Sequence, residues 1–179
     1  MIAFREKLGD PLLLAASILL WFMFSLLVIG ALSTAAGALG IWFYQPEVLA
    51  EITKEAGKPA DPEAIGALSL LLGAASIACA LGCAFVLQWV RLVGSVGTGD
   101  PFTDENAGRL HSMGWIGVVL HGVGILIAGI ADWAASMIPD MKHDIDADMS
   151  SIILILMLFI LARVFRIGAQ MRRDLEGTV

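Results

Sequence analysis

Apolar residues in this chain come in four long stretches, not in the alternation or narrow stripes of a water-soluble domain. No Asp, Glu, Lys or Arg occurs from Pro11 to Pro46, from Ala64 to Val90, from Leu110 to Ala131 or from Met149 to Ala162. About 20 mostly apolar residues carry a helix across a hydrocarbon core of about 30 Å, so the first three stretches suffice as they stand. The fourth is short, but Arg163 and Arg166 at its end have stems that reach the headgroups. The pattern predicts one all-α, polytopic membrane domain over residues 1–179, with spans at about 11–44, 64–90, 110–131 and 149–168. The first stretch is far too long for the 7–15 apolar residues of a signal peptide. Gly30, Gly37 and Gly40 are where it is expected to bend.

Local signals place the helix ends. Asp10-Pro11 and Asp61-Pro62 each set a capping carboxylate before a proline at the first helical position. Between Pro46 and Gly57, Val48, Leu49, Ile52 and Ala56 fall on one side and acids on the other. This predicts a short amphipathic helix on the outer interface, ending at Gly57. Thr103 is a good N-cap, with Asp104 and Glu105 favourable in the first turn, so the third long helix runs from about Asp104 to Ala131. The last helix continues beyond its span as an amphipathic extension. Val164, Gly168, Met171 and Leu175 recur on one face, and Arg163, Arg166, Gln170 and Arg173 on the other.

Composition agrees. Hydrophobic residues make up 58% and charged residues 16% of the 179, and mean hydropathy is +0.83. So little polar surface cannot cover a soluble core, and disorder requires the opposite bias. A net charge of −6 argues against direct nucleic-acid binding. Lysines and arginines set the orientation. Arg5, Lys7, Arg91, Arg109, Arg163, Arg166, Arg172 and Arg173 lie on one side of the four-span topology, and only Lys54, Lys58 and Lys142 on the other. Both termini are therefore expected in the cytoplasm.

Candidate chemistry is sparse. His121 is an ionisable group near the middle of the third span, which suggests a proton relay or a ligand. With no charged residue deep in any span to partner it, a structural hydrogen bond across helices is the preferred role. Cys79 and Cys83 share a helical face. Soft-metal binding is conceivable, but small residues that let helices approach are the simpler account. Asp140, His143, Asp144, Asp146 and Asp148 resemble an oxygen-rich cation loop, and Met137 and Met141 add a weaker hint of copper. Met149 and Ile155 stand where a calcium loop needs Gly and Glu, so that loop is excluded. A solvated acidic loop is preferred to a loose cation or pH-sensing site there. The glycines of 94–99 lack the Lys-Ser or Lys-Thr of a phosphate loop. No Gly-x-Ser-x-Gly, His-Glu-x-x-His or Cys-x-x-Cys occurs, so no catalytic role, metal or cofactor is expected.

The tail arginines admit three readings. They anchor to anionic headgroups, they meet Asp100, Asp104 and Glu105 and tie the last two helices together, or they form a docking surface for a cytosolic protein.

Two passages carry a family likeness: Gly99-Asp100-Pro101-Phe102-Thr103-Asp104-Glu105-Asn106-Ala107 with Arg109-Leu110, and Val164-Phe165-Arg166-Ile167-Gly168-Ala169 with Arg172 to Val179. Both resemble the bacterial membrane family catalogued as domain of unknown function 2975 (DUF2975). Pro101, Phe102, Thr103, Asn106, Phe165, Arg166, Gly168 and Val179 match its pattern. The acidic stretch between the third and fourth spans is longer than in that pattern. The resemblance implies four spans in the bacterial cytoplasmic (inner) membrane and carries no activity with it. It implies a regulatory role beside small helix-turn-helix regulators.

The leading expectation is a non-enzymatic membrane sensor, or a protein that sequesters a cytosolic regulator. Asp100, Pro101, Phe102, Thr103, Asn106, Arg109, Arg163, Arg166 and Arg173 would form its inward interaction face. The alternative is a small transporter or channel subunit using His121 and an acidic outer mouth. Membrane lipids are partners in either case, and a homo-oligomer is compatible with both.

Overall fold

The structure, a computed structural model, describes residues 11–57, 59, 61–97, 101–137 and 150–176. The chain is all-α: α1 (Pro11–Phe43), α2 (Gln45–Ala56), α3 (Ala64–Gly97), α4 (Asp104–Met137) and α5 (Ser150–Glu176). Helices α1, α3, α4 and α5 are each long and apolar enough to cross a membrane.

The helix ends follow the local chemistry with some shifts. Thr103 caps α4 as expected, accepting the Asn106 backbone N–H on Oγ1 at 3.2 Å. Gly57 ends α2 in the left-handed region, at φ 66°, where a residue without Cβ is unstrained. Asp61 accepts the Glu63 N–H on its carboxylate at 3.0 Å and the Ala64 N–H on its carbonyl at 2.9 Å. Pro62 therefore lies inside a turn, not at the first helical position, and α3 starts two residues later than the proline predicts. Helix α3 continues past Val90 to Gly97, and α4 past Ala131 to Met137. Arg91 and Asp132 end the uncharged runs but do not break a helix. Helix α1 runs unbroken through Gly30, Gly37 and Gly40.

Packing divides the chain into two units. One comprises Met1–Leu26, Gly82–Val119 and Asp148–Val179, the other Leu27–Leu81 and Leu120–Ala147. In the second unit α1 and α3 approach closely over small residues. A Cβ on Gly30 would lie 3.3 Å from Cys79 Sγ, and one on Gly37 3.4 Å from Leu72 Cδ1. Ser76 Oγ donates to the Ala31 carbonyl at 3.0 Å, so a polar side chain joins the two helices where their backbones are nearest. Cys79 and Cys83 are not joined in a disulfide. For Cys79 the packing account holds.

In the first unit Leu92, Leu110, Met113, Leu158 and Ala162 form a buried cluster, with Phe85, Trp89 and Phe165 against it. Gly114 and Gly117 let α5 come close to α4. A Cβ on either would meet Phe159 at 2.8 Å or Ile155 at 2.9 Å. Among the described residues, seven of the thirteen buried apolar ones are alanine, whereas Phe43, Ile153 and Leu175 are largely exposed. Small residues inside and large apolar ones outside invert the soluble pattern. They suit a surrounding solvent of lipid.

Candidate functional site

The first unit gathers the described members of the candidate interaction face at the start of α4 and the end of α5. The joint begins at Asn106, which is completely buried. Burying an amide costs free energy unless its groups are bonded, and here they are. Asn106 Nδ2 donates to Ser95 Oγ at 2.6 Å and to the Pro101 carbonyl at 2.9 Å. Asn106 Oδ1 accepts from Arg109 Nη1 at 2.8 Å. Ser95 Oγ in turn donates to the Leu92 carbonyl at 2.6 Å, which leaves its lone pairs for Asn106. One side chain thus holds the end of α3, the connecting segment and the first turn of α4.

Arg109 extends this joint. Its guanidinium also bonds Glu105 Oε1 at 2.5 Å and the Arg91 carbonyl of α3 at 3.3 Å. The Glu105 pair is the i, i+4 spacing that stabilises a helix surface. Arg109 is therefore engaged within the chain, a joint between α3 and α4 and not a free cation.

The segment held by Asn106 presents Phe102 to α5. The Phe102 ring lies 5.1 Å from the Phe165 ring, centroid to centroid. It also lies over Gly168, where a Cβ would come within 2.8 Å of Phe102 Cδ1. Nearby, Arg173 Nη1 bonds Asp104 Oδ2, pairing the end of α5 with the start of α4. So Arg173 does tie the two helices together, one of the three readings of the tail. Arg163 and Arg166 do not. They are exposed and make no ion pair among the described residues. Asp100, the acidic residues of 140–148 and Val179 lie outside the described residues.

His121 belongs to the second unit. It is half-buried on α4 and engaged with another group. No group of three His, Cys, Asp or Glu side chains able to hold a metal occurs among the described residues. A second histidine escaped the sequence reading. His111 Nε2 accepts from Trp115 Nε1 at 3.2 Å, and both rings lie T-shaped to the Phe159 ring. Their i, i+4 spacing was the available signal. Ser95 also went unremarked, since nothing local marks a serine at a helix end as the acceptor of a buried amide.

The architecture is that of a multi-pass helical membrane protein. The chain matches the family described as protein of unknown function, DUF2975, over residues 45–179. That is more than half of its length, and the chain belongs to this family. Helix α1 precedes the matched region. No curated protein and no solved structure matches the chain.

Proposed function

We propose that this protein is a non-enzymatic component of a bacterial cytoplasmic membrane, with both termini inside, that docks a soluble cytosolic regulator on its inward end. It would either report a membrane condition to that regulator or hold it at the membrane. One observation carries the reading. The two passages that bear the family likeness are far apart in sequence, yet Phe102 of one packs on Phe165 and Gly168 of the other. Together they make one surface. Arg163 and Arg166, on the same helix, are exposed and make no ion pair among the described residues. The excess of basic residues at this end supports its placement inside. A small helix-turn-helix regulator is the first partner to test.

The experiment is affinity purification from native membranes. A soluble partner should come with the intact protein and be lost when Arg166→Glu and Arg173→Glu are combined. Recovery of the same partner from the charge-reversed protein, or of none from either, contradicts the proposal.

A further inference from the structure

The uncharged runs of three helices end at one level. On α3 the run stops at Arg91, on α4 it begins after Arg109, and on α5 it stops at Arg163. Arg109 Nη1 donates to the Arg91 carbonyl at 3.3 Å, which sets the first two side by side. A Cβ on Gly114 would meet Phe159 at 2.8 Å and one on Gly117 would meet Ile155 at 2.9 Å, so α4 and α5 run antiparallel in that register. One turn beyond Gly114 and Phe159, toward the charged end, stand Leu110 and Arg163. Charged side chains begin where hydrocarbon gives way to headgroups, and three helices agree on that boundary. Arg109 is engaged there by the chain itself. Arg163 and Arg166 are exposed and make no ion pair among the described residues.

These two arginines stand at a seam. Phe159, Arg166 and Arg173 follow one another at heptad spacing on α5, as Asp104 and His111 do on α4, and residues so spaced keep to one line of a helix. The two lines meet twice. Arg173 Nη1 bonds Asp104 Oδ2, and the Phe159 ring lies 5.3 Å from the His111 ring. Arg166 lies on its line between these contacts, and Arg163 follows Phe159 by one turn. Long side chains in a helix lean toward its N-terminus, which for α5 is toward the bilayer. Both guanidinium groups therefore reach back to the boundary.

His111 adds a donor. The Trp115 indole N–H can only donate, so His111 Nε2 accepts it and the imidazole proton is on Nδ1. That Nδ1–H has no hydrogen-bond partner among the described residues. Asp104 at the seam is already held by Arg173. Two guanidinium groups and an imidazole N–H thus stand at the headgroup boundary, with the exposed Trp115 and the half-buried Phe159 on the hydrocarbon side of them. Guanidinium forks match phosphate oxygens, and the rings suit an acyl chain. We propose that the α4–α5 seam binds one anionic lipid, its phosphate held by Arg163, Arg166 and His111 and its chain lying against Trp115 and Phe159. Because the proposed regulator also needs Arg166, headgroup composition would set how readily it docks. That link rests on the proposed function; the lipid binding does not.

The test gives the full chain in detergent equal amounts of phosphatidylglycerol and phosphatidylcholine and counts the lipid retained by native mass spectrometry. The chain should keep one phosphatidylglycerol, with a preference of about tenfold. Arg163→Gln with Arg166→Gln should remove the preference and leave thermal unfolding in detergent alone unchanged, since both side chains are exposed. Arg91→Gln with Arg172→Gln removes the same charge at the same end from outside the seam, and should leave the preference intact. Excess inorganic phosphate should not displace the lipid. Equal retention of the two lipids, or a preference that survives loss of Arg163 and Arg166, overturns the proposal. So does a preference lost equally in the Arg91, Arg172 protein, which gives it to the general field of the basic end. So does displacement by inorganic phosphate, which gives the seam to a free anion. The assay contains no partner, so the two readings fail separately. Phosphatidylglycerol retained by a chain that captures no native partner sinks the docking function alone, and a partner captured by a chain without lipid preference sinks the lipid site alone.

Discussion

The ring of Phe102 lies against the backbone of α5 at Gly168, so closely that a Cβ there would come within 2.8 Å of Phe102 Cδ1. The glycine is needed for close approach, since no positive φ occurs at that position. Gly168→Ala should therefore have opposite signs in two backgrounds. With Phe102 present, overpacking should cost about 1–3 kcal/mol. With Phe102→Ala, the better helix propensity of alanine should stabilise by up to about 1 kcal/mol. Thermal unfolding of the four proteins in detergent gives this double-mutant cycle. The same sign in both backgrounds would show that the contact does not decide the residue.

Asn106 is the second test. It is wholly buried and bonded by Ser95, Pro101 and Arg109. Asn106→Ala should cost about 1–3 kcal/mol, because truncation leaves those groups without a partner. Asn106→Asp should cost at least as much, since a carboxylate oxygen would replace the donor that faces the Pro101 carbonyl. A neutral result for both substitutions would mean that the joint is not what holds α3 to α4.

The Arg173–Asp104 pair should behave differently. Its side chains are 55% and 57% exposed, and exposed pairs contribute about 0–1 kcal/mol. Arg173→Glu should lower stability slightly, and Asp104→Arg added to it should restore the loss at low salt. The small size matters for function: partner loss on reversing Arg173 should occur in a folded protein. A large drop in melting temperature would instead make the pair a structural keystone.

Much of the fold was legible because the hydrocarbon core imposes a simple rule. Runs without charge longer than about 20 residues become spans, and a shorter run is completed where arginine stems reach the headgroups; the four long helices lie where these runs are. Caps read equally well at Thr103 and Gly57, where the chemistry is local. Asp61-Pro62 misled by two residues because the carboxylate closes a turn before the helix begins. Helix lengths were underestimated at Gly97 and Met137, since leaving lipid changes which side chains are tolerated but not whether the backbone stays helical. The candidate interaction face was legible as two separate passages. Their meeting was not, because the Phe102–Gly168 contact depends on tertiary placement that no local spacing encodes. For the same reason the sequence places Arg109 on the candidate interaction face without showing that it joins α3 to α4.

The whole account stands on the α5 extension and the α3–α4 connection facing the cytoplasm. The direct measurement is labelling of Leu175→Cys by a membrane-impermeant thiol reagent, in a background with Cys79→Ser and Cys83→Ser. The account predicts no labelling in intact cells and rapid labelling once the cytoplasmic membrane is permeabilised. Rapid labelling in intact cells would put the arginine-bearing end outside and contradict it.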